Sequence, residues 1–216
     1  LSGIGTHDAS FAYFNSPAVD AVAIVFMLIS GFNFSLHFMV WRRRNFLIYL
    51  QDAEAKAWIA TAALMSALTI IVLADAHVYE TSAETVRHAL FSVVSVITTT
   101  GYATVDLPVL LLVAAAFSTC AGSTGGGIKM VRLLIILGMI RREMTKLLYP
   151  KAVVPLTLNK TPIDEKVCIA VLAYFMVWLT SFVIGAAVLL LAGLPPGDAI
   201  SAAWAMLSNI GPGLGG

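Results

Sequence analysis

Arg87-His88-Ala89-Leu90-Phe91-Ser92-Val93-Val94-Ser95-Val96-Ile97-Thr98-Thr99-Thr100-Gly101 is the stretch that decides the fold. Its apolar run ends at Ile97 and is too short to cross a bilayer, which takes about 20 residues of helix. A run of that length reads as re-entrant, interfacial or buried. Thr81-x-x-Glu84 just before it has the form of a capping box. Gly101 just after it permits the backbone to leave helical dihedrals. The pattern returns near the end of the chain, where Asp198 to Leu207 is another short apolar run. Asp198, following Pro195-Pro196-Gly197, is its expected N-cap. One fixed shift lays Thr99-Thr100-Gly101 on Asn209-Ile210-Gly211, and the same shift lays the longer run before one on that before the other. Leu1-Ser2-Gly3-Ile4-Gly5 is a third copy of the glycine pattern.

Working outward, four runs are long enough to span: Pro17 to Trp41, Ala57 to Ala74, Leu107 to Ile140 and Val167 to Ala192. They are continuous rather than alternating, which selects helices over barrel strands. Helix-entry chemistry stands at Ser16-Pro17, at Asp106 before Pro108, and at Thr161-Pro162 with Asp164 three residues after the threonine. Across all 216 residues, 59% are hydrophobic, 12% are charged and the mean hydropathy is +0.90. An ordinary soluble domain carries roughly 25% charged residues, so a water-soluble globule is excluded. A net charge of +1 argues against a nucleic-acid partner. The two cysteines, Cys120 and Cys168, lie in apolar runs and supply neither a disulfide scaffold nor a zinc spacing. With no signal sequence at Leu1, the chain is expected to be an internal piece of a longer membrane protein.

Ten of the 13 Lys and Arg residues lie between the first and second runs or between the third and fourth. By the positive-inside rule those two segments are expected to be cytoplasmic. The short helices then enter from outside and aim their C-terminal carbonyls, about half a negative charge, at the membrane centre. Non-helical backbone at that depth needs protein, water or ions around it. A row of carbonyls is a natural substitute for the hydration shell of a cation such as potassium.

The third run carries a second signal. Its 34 residues would make about 51 Å of helix, beyond a ~30 Å hydrocarbon core. Gly122-Ser123-Thr124-Gly125-Gly126-Gly127 sits near its middle, and four glycines in six positions favour irregular backbone. Lys129 and Arg132 follow at depth and require partners or water. Two readings of Lys129 stand open: snorkelling or pairing with an acid, or a cation that repels potassium in a closed pore. Trp41 and Trp58 read as interfacial anchors, and His37 and Asn33 as helix–helix contacts.

Several of these stretches together resemble a known family: Val96 to Thr104 (V-I-T-T-T-G-Y-A-T), Ala121 to Lys129 (A-G-S-T-G-G-G-I-K), Tyr149 to Pro155, Ser208 to Gly215 and Thr6 to Ser10. They look like the TrkH-type membrane subunit of bacterial Trk potassium uptake systems, within the Trk/Ktr/HKT superfamily. The resemblance implies an all-α integral membrane fold of repeated membrane–pore–membrane units, with re-entrant pore helices and a glycine-broken transmembrane helix. By it, residues 1–44 end a second repeat, 45–150 form a third, and 151–216 form a fourth without its last helix. The implied potassium filter is Leu1, Ser2 and Gly3, with Thr99, Thr100 and Gly101, and with Asn209, Ile210 and Gly211. The implied gate is Gly122, Ser123, Thr124, Gly125, Gly126 and Gly127, with Lys129. Potassium is then the substrate, with no cofactor. The implied setting is a homodimer in the bacterial inner membrane, with a cytoplasmic nucleotide-binding regulatory subunit docked on the basic loops. Potassium against sodium preference, and channel-like against coupled (symport) movement, stay open.

Other function classes fare worse on the residues themselves. Gly211 to Gly216 matches G-x-G-x-x-G but follows a helix rather than a strand, so a dinucleotide site is not expected. An intramembrane serine hydrolase built on Ser123 would need G-x-S-x-G, which Ala121 breaks, and a histidine at that depth. A non-conducting assembly subunit would explain the hydrophobicity but not the repeated short helices.

Overall fold

The computed structural model of the chain describes residues 13–14, 16–102 and 119–210. Among the expected site residues, Leu1, Ser2, Gly3 and Gly211 lie outside the described residues, as does the first part of the third apolar run. The described chain is helical apart from one two-residue β pair. Its helices are α1 (Pro17–Gly31), α2 (Phe34–Arg43), α3 (Leu47–Gln51), α4 (Ala53–Asp75), α5 (Ser82–Ile97), α6 (Met130–Leu148), α7 (Glu165–Leu191) and α8 (Pro196–Ser208).

Two helices, α4 with 23 residues and α7 with 27, are long and apolar enough to cross a membrane. Only 11% and 17% of their apolar windows are buried. Side chains such as Leu64, Ile71, Ile169, Val177, Val183 and Val188 stand exposed along them. A protein in water would hide that surface, whereas a bilayer solvates it. The short α5 has the opposite character. Every residue from Phe91 to Gly101 is buried, and the helix packs on α1 and α4. The bundle thus places a short apolar segment at the centre and its longest helices at the rim.

The first apolar run departs from expectation. Instead of one span from Pro17 to Trp41, α1 and α2 meet at Phe32-Asn33 with a bend of 96°. The 15 residues of α1 make about 22 Å of helix, short of the ~30 Å core. The bend has a local cause. Asn33 adopts extended backbone and its side chain accepts from the Ser35 N–H at 2.9 Å, so it starts a new helix. Gly31 closes the other one, where a Cβ would fall 2.8 Å from Trp58 Cζ2 and 3.1 Å from Thr98 Cγ2. Trp58, expected at the membrane interface, is 2% exposed instead. It fills the space beside Gly31 and packs on Phe32 at 4.5 Å between ring centroids. Trp41 is 78% exposed, as an anchor would be.

Caps refine the remaining expectations. Thr81 caps α5 and accepts from the Glu84 N–H at 3.2 Å, as the S/T-x-x-E pattern implies. Asp198 is not an N-cap: Pro195 holds that position and Pro196 begins α8, with Asp198 in the first turn. Proline's fixed φ suits the first helical position, and the helix dipole favours the carboxylate one turn in. Asp164 itself caps α7, while Thr161-Pro162 pair with Thr157-Leu158 as a small antiparallel hairpin. Asn159 and Lys160, with φ of 49° and 64°, form its two-residue loop in the left-handed conformation such hairpins favour. Asn159 then caps α4 from a distance: its Oδ1 accepts from the Ala53 N–H at 2.7 Å, and its Nδ2 donates to Asp52 Oδ2 at 2.7 Å.

Two helix ends share one pattern of backbone bonds. At the end of α5, the Thr99 N–H donates to the Val96 carbonyl at 3.0 Å, and the Thr100 N–H to Ser95 at 2.8 Å. At the end of α8, the Asn209 N–H donates to Met206 at 3.1 Å and the Ile210 N–H to Ala205 at 3.0 Å. Both turns are Schellman motifs, with Thr99 (φ 52°) and Asn209 (φ 61°) at the left-handed position. The far ends of α4 and α7 close in the same way, with left-handed His77 and Gly193. His77 and Gly193 stand further apart along the chain than Thr99 and Asn209 do, so the repeat is not of one exact length. The difference arises because α5 has 16 residues against 13 in α8 and the connection before α5 is longer.

Candidate functional site

Two turns and one loop meet at the site. The first turn is Thr98 to Gly101, entirely buried. Thr98 Oγ1 donates back to the Val94 carbonyl at 2.7 Å and lies 2.8 Å from Thr100 Oγ1. Ser95 Oγ donates to the Tyr102 carbonyl at 2.6 Å, so the chain leaving Gly101 is tied back to α5. Gly101 has φ of 79°, a conformation that side chains rarely adopt. Thr99 adopts it as well, and for a β-branched residue a left-handed φ is an outlier that the surroundings must hold in place. The Schellman bonds end on Ser95 and Val96, so the motif takes nothing from the carbonyls of Thr99, Thr100 and Gly101.

Something outside the turn holds Thr99. The Gly126 N–H donates to Thr99 Oγ1 at 2.9 Å, and the Gly126 carbonyl accepts from Thr119 Oγ1 at 2.8 Å. Gly126 belongs to the glycine loop, which runs without regular structure from Thr119 to Lys129. That irregularity is what four glycines in six positions predict. A Cβ on Gly126 would lie 2.6 Å from the Ser208 carbonyl oxygen and 2.5 Å from Asn209 Cβ. A Cβ on Gly125 would overlap Thr119 Cγ2 and lie 2.9 Å from Thr99 Oγ1. Gly125-Gly126 is therefore wedged between the two turns, touching Thr99 of one and Ser208-Asn209 of the other.

One apolar core locks these pieces together. It joins Ile97 of the first turn's helix, Ile210 of the second turn, Cys120 of the loop and Trp58 of α4. Of the expected filter residues, the structure thus brings Thr99, Thr100 and Gly101 close to Asn209 and Ile210 through the loop. Of the expected gate residues, Gly125 and Gly126 make the contacts to the turns, while Gly122 (φ 72°) faces Asn33. Ser123 Oγ donates to the Cys120 carbonyl at 2.6 Å, and Thr124 stands exposed.

Lys129 forms no ion pair with an acidic side chain among the described residues. Its Nζ donates to the Gly125 carbonyl and reaches the Ser123 carbonyl at 3.3 Å and Ser123 Oγ at 3.4 Å. The ammonium closes the glycine loop on itself, and Lys129 is left-handed, with φ of 70°. Arg132 lies over the Tyr174 ring, 3.9 Å from the centroid, and donates to the Ile128 carbonyl at 3.3 Å. Each of these half-buried cations has found π-density or backbone oxygen.

Four residues important to this geometry were not expected at the site. Glu54, on the first turn of α4, is buried and contacts the loop. Asn33 and Gly31 flank the bend, where the Cys120 N–H donates to the Gly31 carbonyl and the Phe34 N–H to Gly122. Asp20 is 2% exposed and pairs with Arg87 at 3.4 Å, joining α1 to α5. The polarity of Glu54 and Asp20 inside or beside apolar runs was the available clue, but it does not name the partner.

Long apolar helices with exposed sides, a buried short helix and two like-capped turns bridged by a glycine loop define a helical protein able to span a membrane. The chain belongs to the TrkH family of cation transport proteins, whose family model matches residues 1–216. It is 38% identical over 222 residues to the Trk system potassium uptake protein TrkH of Halomonas elongata, covering 100% of this chain and 46% of that protein. The TrkH of Escherichia coli K12 is 35% identical over 222 residues, with the same coverage. The crystal structure of the potassium transporter TrkH from Vibrio parahaemolyticus superposes with a TM-score of 0.93 at 36% identity, covering 99% of this chain and 47% of that one. The chain spans about half the length of the curated relatives it matches. The family is named for transport, not for an enzymatic reaction.

Proposed function

We propose that this chain carries potassium uptake across the bacterial inner membrane, as part of a longer multi-pass transporter. In this reading α5 and α8 are re-entrant pore helices. Carbonyls of Leu1-Ser2-Gly3, Thr99-Thr100-Gly101 and Asn209-Ile210-Gly211 take over the hydration shell of the ion, and residues 122–127 with Lys129 gate the path below them. Residues 1–44, 45–150 and 151–216 are then parts of successive repeats. Potassium is substrate rather than cofactor.

The observation that carries the proposal is the pair of Schellman turns centred on Thr99 and Asn209, both held against Gly125-Gly126. A left-handed residue at each helix end turns the backbone sharply while the capping bonds stay upstream, which suits carbonyls that must face an ion. A loop pinned to both turns at once suits a gate. The names of the relatives, Trk system potassium uptake proteins, supply the ion. Assembly as a homodimer with a cytoplasmic nucleotide-binding subunit belongs to the same proposal. Its support in the chain is the run of exposed basic residues that includes Arg141, Lys151, Lys160 and Lys166.

Expression of the full-length transporter in a bacterium lacking potassium uptake tests this directly. Growth on low potassium is expected to return. Absence of growth, with the protein shown to reach the membrane, would contradict the proposal.

A further inference from the structure

We infer that Glu54 is the positioning residue of the glycine loop, a single carboxylate that clamps both ends of the gate. The inference rests on the reading of that loop as a gate and adds to it what holds the loop shut.

Glu54 lies on the first turn of α4, and its side chain is buried. Its Oε1 accepts from the Ala121 N–H at 2.5 Å and from the Val131 N–H at 3.1 Å. Those two amides bracket the irregular segment, one just before Gly122 and the other just after Met130. One acidic group thus bonds to both ends of the loop, in addition to the backbone bonds that join the loop to the bend (Cys120–Gly31, Phe34–Gly122) and its two ends to each other (Met130–Thr119).

Physical chemistry makes this a clamp rather than incidental packing. The Val131 N–H belongs to the first turn of α6, where amides lack an intrahelical partner. An anion is favoured there and also on the first turn of its own helix, so Glu54 sits between two positive helix ends. Loop amides that lose such an acceptor inside the protein have no water to replace it, and charge-assisted bonds are the stronger kind. Lys129 acts differently, because its ammonium bonds only to groups within the loop, the Ser123 and Gly125 carbonyls and the Ser123 hydroxyl. It shapes the loop, while Glu54 fixes the loop to the bundle. The capping bonds of the filter turns lie within α5 and α8, so the clamp reaches the first turn only through the Gly126–Thr99 bond. Loss of the clamp should therefore free the gate while those capping bonds remain.

Amide hydrogen exchange on the purified full-length transporter in lipid nanodiscs reads this clamp. Glu54→Ala should speed exchange across residues 119–131 by about tenfold, the factor that goes with one charge-assisted hydrogen bond. Residues 95–101 should keep wild-type protection. Glu54→Gln retains an acceptor oxygen and should stay within about threefold of wild type. Glu54→Asp is one methylene short and should fall between, which keeps the test open where the alanine variant does not accumulate. In liposomes, Glu54→Ala should also raise unstimulated potassium leak with unchanged preference for potassium over sodium. Unchanged protection of residues 119–131 in both the alanine and aspartate variants would overturn the clamp. So would a glutamine variant as labile as alanine. If wild-type protein carries no potassium, the transport reading fails, but the exchange data still decide the clamp.

Discussion

Gly126→Ala is expected to abolish potassium uptake. The new methyl would meet the Ser208 carbonyl oxygen at 2.6 Å and Asn209 Cβ at 2.5 Å. Neither is the free end of a flexible side chain, so the loop or the α8 turn must move. Overpacking of a filled site costs about 1–3 kcal/mol or more, and the displacement falls on the second turn of the proposed filter. Moreover, the Gly126 N–H holds Thr99, so a shift that relieves the clash also releases the first turn. Tracer uptake normalised to membrane protein should drop at least tenfold. Uptake within twofold of wild type would show that the loop does not press on the turn during transport.

Thr99→Val isolates a second contact. Valine matches threonine in shape but lacks the hydroxyl, so the Gly126 N–H would lose its acceptor without a change in packing volume. A buried amide left unpaired costs about 1–3 kcal/mol, or a five- to 150-fold change in the balance between held and released loop. The expected result is reduced thermal stability together with faster opening of the gate. Thr99→Ser keeps the acceptor and removes one branch from a strained left-handed residue (φ 52°). It should transport like wild type and melt at the same temperature or above. Equal behaviour of the valine and serine variants would remove the Thr99–Gly126 bond from the account.

The turns were legible because their information is local. A run of apolar residues that stops short, a capping box before it and a glycine after it are all written within a few positions. Repetition at a fixed offset then raised a common helix ending into a candidate site. The glycine loop was legible for the same reason, as composition alone forces irregular backbone there.

What sequence reasoning missed is tertiary. The run from Pro17 to Trp41 is predominantly apolar, and hydropathy cannot distinguish one helix from two that meet at 96°. Asn33 marks the bend only once the side-chain cap on Ser35 is seen. Trp58 at the end of a basic segment resembles an interfacial anchor until Gly31 is known to make room for it. Glu54 lies beside Asp52, Lys56 and the first turn of a helix, a place where an exposed acid is ordinary. Its role depends on amides at Ala121 and Val131, 67 and 77 residues away. Asp20, an acid inside the first apolar run, is buried against Arg87 of α5, a partner that only the fold supplies.

The central claim is that the turns at Thr99 and Asn209, far apart in the chain, belong to one ion filter. The most direct measurement is the ratio of rubidium to sodium uptake, with rubidium as the potassium tracer, for the full-length transporter and for Gly101→Ser, Gly211→Ser and the double variant. Gly101 has φ of 79°, so serine there must strain or reshape the turn. The account predicts a lower ratio in each single variant. Because both glycines act on one ion, the double variant should lose less than the product of the two separate losses. A ratio equal to wild type in both single variants, with uptake intact, would return these glycines to the role of helix caps and contradict the account.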